Sequence, residues 1–195
     1  MAKAKNLLII GAGYIGLEVA AVAATAGLDV TVVEMAERVM SRVVSPELSD
    51  YYRRVHESRG VTLRLNAAVR SIAGADRVEA VVLDSGERIE TDLVVIGIGI
   101  VPNTELAEEA GLDVDNGILV DATCRTSDPQ IFAVGDCTNH PNPVLDTRLR
   151  LESVQNALDQ ARVAAANICG EGLEYAEVPW FWSDQYDLKL QIAGI

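Results

Sequence analysis

The stretch Leu7-Leu-Ile-Ile-Gly-Ala-Gly-Tyr-Ile-Gly-Leu-Glu18 decides the fold of the first half of this chain. Residues 7–10 are apolar at consecutive positions, as a strand covered on both faces of a parallel sheet requires. Gly11, Gly13 and Gly16 follow in the spacing G-x-G-x-x-G, and an Ala-rich helix is predicted over 14–26. A dinucleotide site needs the parts in this order. Gly11 allows a tight strand-to-helix turn. Gly13 lacks a Cβ, so backbone can approach a pyrophosphate, and Gly16 lets helix and strand pack closely. The first N–H groups of the helix then face the phosphates, and the helix dipole favours their charge. Residues 29–34 (DVTVVE) read as a second strand ending in an acid. Glu34 lies 23 positions after Gly11, close to the about 20 expected of the acid that accepts both hydroxyls of an adenosine ribose. Its charge would repel a 2′-phosphate, so NADH is expected over NADPH. The plainer reading of the same residues is a βαβ unit with an exposed acid at a strand end.

The chain has 195 residues, 49% hydrophobic and 23% charged, enough for one large or two small cores. A net charge of −13 argues against a general nucleic-acid binder and against attraction to anionic membranes. No run approaches the ~18 apolar residues of a membrane span, and the short apolar run after Lys3 and Lys5 enters the glycine turn rather than a signal-peptide core. Cys124, Cys137 and Cys169 form no C-x-x-C, which suggests buried thiols in a reducing, cytoplasmic setting. His56, on a polar helix, and His140, in a loop, are expected at the surface. Neither has a metal-ligand neighbour, and no metal is expected.

Further along, Ser45 and Pro46 open a helix predicted to run to about Arg59, and 61–65 alternates as a third strand would. Short β-like runs at 68–73, 77–83 and 88–90 read as an antiparallel meander, after which 92–97 returns to a buried strand. Gly97, Ile98 and Gly99 then lie at a strand's carboxyl end, where ligands bind in such sheets. A short helix over 104–110 with Thr104 as N-cap, strands at 117–120 and 130–134, a Pro/Asn loop at 139–143 and a long helix over about 153–169 follow. The expected class is α/β: a doubly wound, Rossmann-like parallel sheet with a β-meander insert, then part of a second α/β domain.

Three later segments narrow this reading. Thr126-Ser-Asp-Pro-Gln-Ile-Phe-Ala-Val-Gly-Asp-Cys137 resembles the second flavin-binding motif of the two-dinucleotide-domain flavoprotein reductases. Arg150-Leu-Glu-Ser-Val-Gln-Asn-Ala-Leu-Asp-Gln160 and Pro179-Trp-Phe-Trp-Ser-Asp-Gln-Tyr186 resemble the ferredoxin reductase branch, the putidaredoxin and rubredoxin reductases. The resemblance implies two cofactors, FAD and NADH. It divides the chain into an NAD(H)-binding domain (1–104), the C-terminal part of an FAD domain (105–175) and the start of a C-terminal interface domain (176–195). Gly11, Gly13, Gly16 and Glu34 would hold NADH. Tyr14, Ile15 and Glu18 would sit near the nicotinamide, with Gly97, Ile98 and Gly99 opposite. Asp136, after Gly135, would bond the FAD ribityl chain, and the backbone at Ser153 and Val154 would face the flavin pyrimidine. Trp182 would lie near the flavin, towards a ferredoxin-type iron–sulfur partner.

No side chain is expected to act as a catalytic acid, base or nucleophile, because the cofactors carry the hydride chemistry. Bland readings stand beside these: Asp136 as a turn cap, Glu18 as a solvated helix residue, Trp180 and Trp182 as core anchors, Cys137 as a buried structural thiol. Family members carry a separate FAD fingerprint ahead of the glycine motif seen here, and this chain has one G-x-G-x-x-G. It is therefore expected to be a partial chain that binds FAD weakly alone, with only Arg148 and Arg150 as local positive charge for a partner. The competing readings are another NADH oxidase or disulfide reductase of the superfamily, and a non-catalytic NAD-binding or redox-sensing module.

Overall fold

The computed structural model describes residues 4–195, so Lys3 lies outside the described residues. They form two compact units. One runs to Gly99 and includes Ser183–Leu190; the other is Ile100–Trp182 with Gln191–Ile195.

In the first unit the order is β1 (Asn6–Ile10), α1 (Tyr14–Thr25), β2 (Asp29–Val33), α2 (Pro46–Ser58), β3 (Thr62–Arg64), β4 (Val69–Ala73), β5 (Ala80–Leu83), β6 (Arg88–Glu90) and β7 (Leu93–Ile96). The strands β3, β2, β1 and β7 form a parallel sheet in that order, and β4, β5 and β6 form the expected antiparallel meander. The unbroken apolar run of β1 is explained by cover on both faces. Leu7 and Ile9 share a core with Leu17, Ala20 and Ala23 of α1 and Tyr52 of α2. Leu8 packs instead with Val33, Val81 and Leu83, the last two from the meander. Each such fully buried side chain contributes about 1.5–3 kcal/mol of hydrophobic stabilisation. Ser45 caps α2 as expected, its hydroxyl accepting from the Leu48 N–H, with Pro46 in the first turn.

The segment 183–190 belongs to this unit although more than eighty residues separate it from β7. Leu188 and Leu190 join the core around Leu7. Arg59, at the end of α2, bonds Asp187 at 2.9 Å and lies 4.9 Å over the Tyr186 ring.

The second unit holds α3 (Glu105–Glu109), β8 (Ile118–Leu119), β9 (Thr138–Asn142), β10 (Thr147–Leu149) and α4 (Val154–Ile168). The two strands β11 (Trp180–Gln185) and β12 (Leu188–Ala193) form a hairpin whose residues divide between the units. The expected strand at 130–134 is not a strand; its one ladder contact is a bridge from Phe132 to Arg125. The Pro/Asn stretch expected to be a loop is β9, pairing in parallel with β8 and antiparallel with β10. Local propensity loses here to tertiary pairing, while Asn142 makes the turn by accepting the N–H groups of Val144 and Leu145. Thr104 precedes α3 without capping it; its hydroxyl donates to Glu108. The thiols are not uniformly buried: Cys124 is, Cys137 is half-buried and Cys169 is exposed.

Both histidines are buried, against expectation, with His56 at 0% and His140 at 1% exposure. A polar helix pattern does not reveal that one face is covered by a segment from the far end of the chain. His140 packs edge-on to Tyr175 with centroids 5.1 Å apart, and neither ring nitrogen has a hydrogen-bond partner among the described residues. Burial first, and then the nearby Arg148 charge, pull its pKa from 6.5 down to about 4. The unfolded chain therefore takes up this proton first as pH falls. The stability involved is intact above pH 6.5 and lost progressively towards pH 4. Going from pH 8 to pH 5 is expected to cost about 2 kcal/mol through this residue. Urea midpoints at the two pH values, for the native chain and for His140→Gln, measure it; an equal shift in both would contradict it.

Candidate cofactor site

The glycine turn is built from backbone. Gly11 takes φ +103°, a left-handed conformation that other residues rarely adopt, and its N–H donates to the Val33 carbonyl at 2.8 Å. A Cβ on Gly11 would collide with the Gly97 carbonyl, and one on Gly16 with the Gly11 carbonyl. Gly13 is different: nothing lies within 4 Å of where its Cβ would be. The protein does not need that space, so it is open to a ligand. Gly13 is also the N-cap of α1, with no side-chain cap and no acid in the first turn. By contrast, α2 and α4 are capped by Ser45 and Ser153. The first N–H groups of α1 are left for an anion, and the helix dipole adds to the attraction. The turn thus fits a dinucleotide pyrophosphate on its own geometry.

Glu34 does more than the sequence suggests. Its two oxygens accept the Ala12 N–H at 2.7 Å and the Ala36 N–H at 2.8 Å. The acid thereby ties the glycine turn to the end of β2. It is half-buried, and a carboxylate has about four acceptor sites, so two bonds leave capacity for ribose hydroxyls.

Around the turn, Ile15 and Ile98 are 66% and 68% exposed, and Gly99 is bare backbone beside Arg42. These apolar side chains lie beyond the carboxyl ends of β1 and β7, where a planar ring could rest. Tyr14 is half-buried, and burial, then its neighbour Tyr52, push its phenol pKa up, so it stays protonated. Glu18 is no solvated helix residue: its Oε1 accepts the Ser183 hydroxyl at 2.6 Å. Ser183 and Gln185 are fully buried in the same unit. In the sequence their run is a family mark and no more, because polar residues in a strand carry no signal of what they face.

In the second unit, Gly135 takes φ +86° and sits against Ala157, one turn into α4. Its N–H donates to Gln160 Oε1 at 2.7 Å, an oxygen that also accepts from Thr138. This locks the turn to the helix and leaves the Asp136 carboxylate exposed, not engaged as a turn cap. Ser153 accepts the Asn156 N–H at 3.1 Å, and Val154 at the head of α4 is 55% exposed. An exposed acid near the start of a fifteen-residue helix, where the Ser153 cap takes only one of the first N–H groups and the helix dipole remains, fits the polar part of a flavin nucleotide. Trp182 is 42% exposed and stacks on Trp180 with centroids 5.3 Å apart, so it is not a core anchor. Of the two arginines only Arg150 has its charge paired; Arg148 is exposed and, among the described residues, bonds neutral groups alone. Arg148 binds Asn139 and the Val120 carbonyl, while Arg150 pairs with Glu152 at 2.7 Å. Among the described residues no group of His, Cys, Asp and Glu is placed to hold a metal ion, and no helix is long and apolar enough to cross a membrane.

The comparison with known proteins agrees with this geometry. Residues 1–161 match the family model described as pyridine nucleotide-disulphide oxidoreductase, and 180–195 match the one described as reductase C-terminal. Rhodocoxin reductase of Rhodococcus erythropolis is 53% identical over 100% of this chain and 46% of its own length. A ferredoxin reductase for the CYP199A2 system of Rhodopseudomonas palustris superposes with a TM-score of 0.95 at 48% identity, over 100% of this chain and 48% of that one. The reductase of a covalent putidaredoxin reductase–putidaredoxin complex gives 0.93 at 46%, over 98% and 46%. The chain spans about half the length of these relatives. Because that model matches residues 1–161 of the 195, the glycine turn and the parallel sheet included, the chain belongs to the pyridine nucleotide-disulphide oxidoreductase family.

Proposed function

We propose that this chain is part of an NADH-dependent, FAD-containing ferredoxin reductase, a cytoplasmic enzyme that delivers electrons to a ferredoxin-type iron–sulfur protein. The observation that carries the reading is the open space at Gly13, on an uncapped helix end, with Glu34 latched beside it. The 53% identity to a named rhodocoxin reductase, and the match of 180–195 to a reductase C-terminal model, point to the ferredoxin branch. We read 1–104 as the NAD(H) domain, 105–175 as part of the FAD domain and 176–195 as the start of an interface domain.

Each group then has a physical task. The first turn of α1 binds pyrophosphate, Glu34 takes the adenosine ribose, and Ile15 and Ile98 give the nicotinamide an apolar seat. Asp136 accepts from the ribityl hydroxyls, and the N-terminus of α4 sets a positive potential beside the flavin pyrimidine. Bound FAD supplies the two-electron to one-electron conversion that the side chains lack. The test is anaerobic mixing of the FAD-loaded full-length protein with NADH or NADPH, followed by a ferredoxin. Rapid bleaching of the flavin by NADH, at least tenfold faster at equal concentration than by NADPH, is expected, with onward reduction of the ferredoxin. Lack of bleaching by NADH would overturn the proposal.

A further inference from the structure

Four side-chain hydrogen bonds run in line through the first unit and end on Glu18. Tyr186 Oη lies 3.4 Å from His56 Nδ1. His56 Nε2 lies 2.9 Å from Gln185 Oε1. Gln185 Nε2 donates to Ser183 Oγ at 3.1 Å, and Ser183 Oγ donates to Glu18 Oε1 at 2.6 Å. His56, Ser183 and Gln185 are each 0% exposed, so water cannot stand in for a missing partner.

Donor and acceptor counting fixes the direction of the chain. An ionised Glu18 can only accept, so the one Ser183 proton goes to it. Ser183 Oγ must then receive its own bond from the Gln185 amide nitrogen. That orientation turns Gln185 Oε1 to His56, which must therefore carry its proton on Nε2. The neutral ring leaves Nδ1 as an acceptor, and the Tyr186 hydroxyl fills it. Burial holds His56 neutral by lowering its pKa, against the raising effect of the Gln185 bond. Every donor points towards Glu18, and such co-directional bonds polarise one another.

We propose that Ser183, Gln185 and His56 are positioning residues for the NADH reaction, a buried relay that holds Glu18 in one orientation on α1 with Oε2 left for the nicotinamide side. This rests on the reading of Glu18 as a nicotinamide neighbour. As hydride leaves, the nicotinamide ring becomes cationic, and a carboxylate fixed in advance stabilises that charge without reorganising. The relay also gives the Ser-Asp-Gln segment a task in the first unit: it is the far end of the chain that aims an acid beside the glycine turn.

Two measurements test this. The first is 15N NMR of the histidine rings in the full chain. The relay requires His56 to be the neutral Nε2–H tautomer, with Nδ1 unprotonated; an Nδ1–H ring or a charged ring would overturn it. The second uses the FAD-loaded full-length protein. Ser183→Ala is expected to slow flavin reduction at saturating NADH about tenfold while NADH affinity, read by calorimetry, changes less than about twofold. Gln185 keeps a weak acceptor in Met40 Sδ at 3.8 Å, which favours folding of the variant. In the Glu18→Gln background the same change should add almost nothing, since both act through one carboxylate. Ser183→Ala at the native rate, or independent losses in the double variant, would overturn the relay while native reduction by NADH upholds the functional reading. A native holoenzyme that NADH does not reduce would overturn both.

Discussion

Gly16→Ala is expected to destabilise the first unit by about 3 kcal/mol and to abolish measurable NADH binding. The added Cβ would meet the Gly11 carbonyl oxygen, and the Ile9 side chain is the next nearest neighbour. That carbonyl cannot yield, because the Gly11 N–H is tied to Val33; Ile9 stays at ordinary contact distance. The overlap can be relieved only by lifting α1 off β1, which opens the core formed by Leu17, Ala20 and Ala23. Gly13→Ala makes the control, because its Cβ enters empty space. That variant should lose no more than about 1 kcal/mol, the cost of alanine at an N-cap, and still lose tenfold or more in NADH affinity, since a methyl group now stands where a phosphate must approach. Urea titration and calorimetry on the two variants separate packing from ligand contact. Equal destabilisation of both would mean that the glycines serve the fold alone. Native affinity in Gly13→Ala would place the pyrophosphate elsewhere.

What could be read ahead of the structure follows a physical rule. The helices and sheet strands of the first unit carry their signals locally: two-sided burial in Leu7–Ile10, the Ser45–Pro46 start, and turn residues between the meander strands. Each signal was matched by an element within a few residues of the expected bounds. The second unit was read less well. Its strands β8, β9 and β10 have only two, five and three residues, too short to show a period, and Asn and Pro in β9 give a local signal of the opposite sign. The same holds for the candidate site. Glycine spacing betrays the turn because only glycine permits it, and Glu34 stands at a readable interval. The two backbone bonds of Glu34 are invisible to spacing, as is the line from Tyr186 to Glu18, which joins residues more than 120 positions apart through His56 and Gln185. A buried histidine on a polar helix looks like a surface residue until the segment that covers it is in place.

Glu34→Ala is expected to weaken NADH binding about 30-fold or more and to narrow the gap to NADPH. The native acid does two things at once. It holds the turn through the N–H groups of Ala12 and Ala36, and in the proposed complex its remaining lone pairs accept the ribose hydroxyls. Bonds to an ionised acceptor contribute about 1.5–3 kcal/mol each, and 1.4 kcal/mol is tenfold in affinity, so losing the ribose contacts alone accounts for the drop. NADPH should lose much less, because removing the carboxylate also removes its repulsion of a 2′-phosphate. Glu34→Gln is not a conservative substitute here. Both oxygens face backbone N–H groups, so one would confront the amide NH₂ of glutamine, donor against donor. That variant should be as unstable as Glu34→Ala, or more so, despite its shape. The combination is diagnostic: an acid that served only as a ribose contact would leave the melting temperature of both variants native, and one that served only as a latch would lower it in both without changing the NADH to NADPH ratio. Calorimetry with each nucleotide, beside thermal melts of the two variants, is expected to show both effects together.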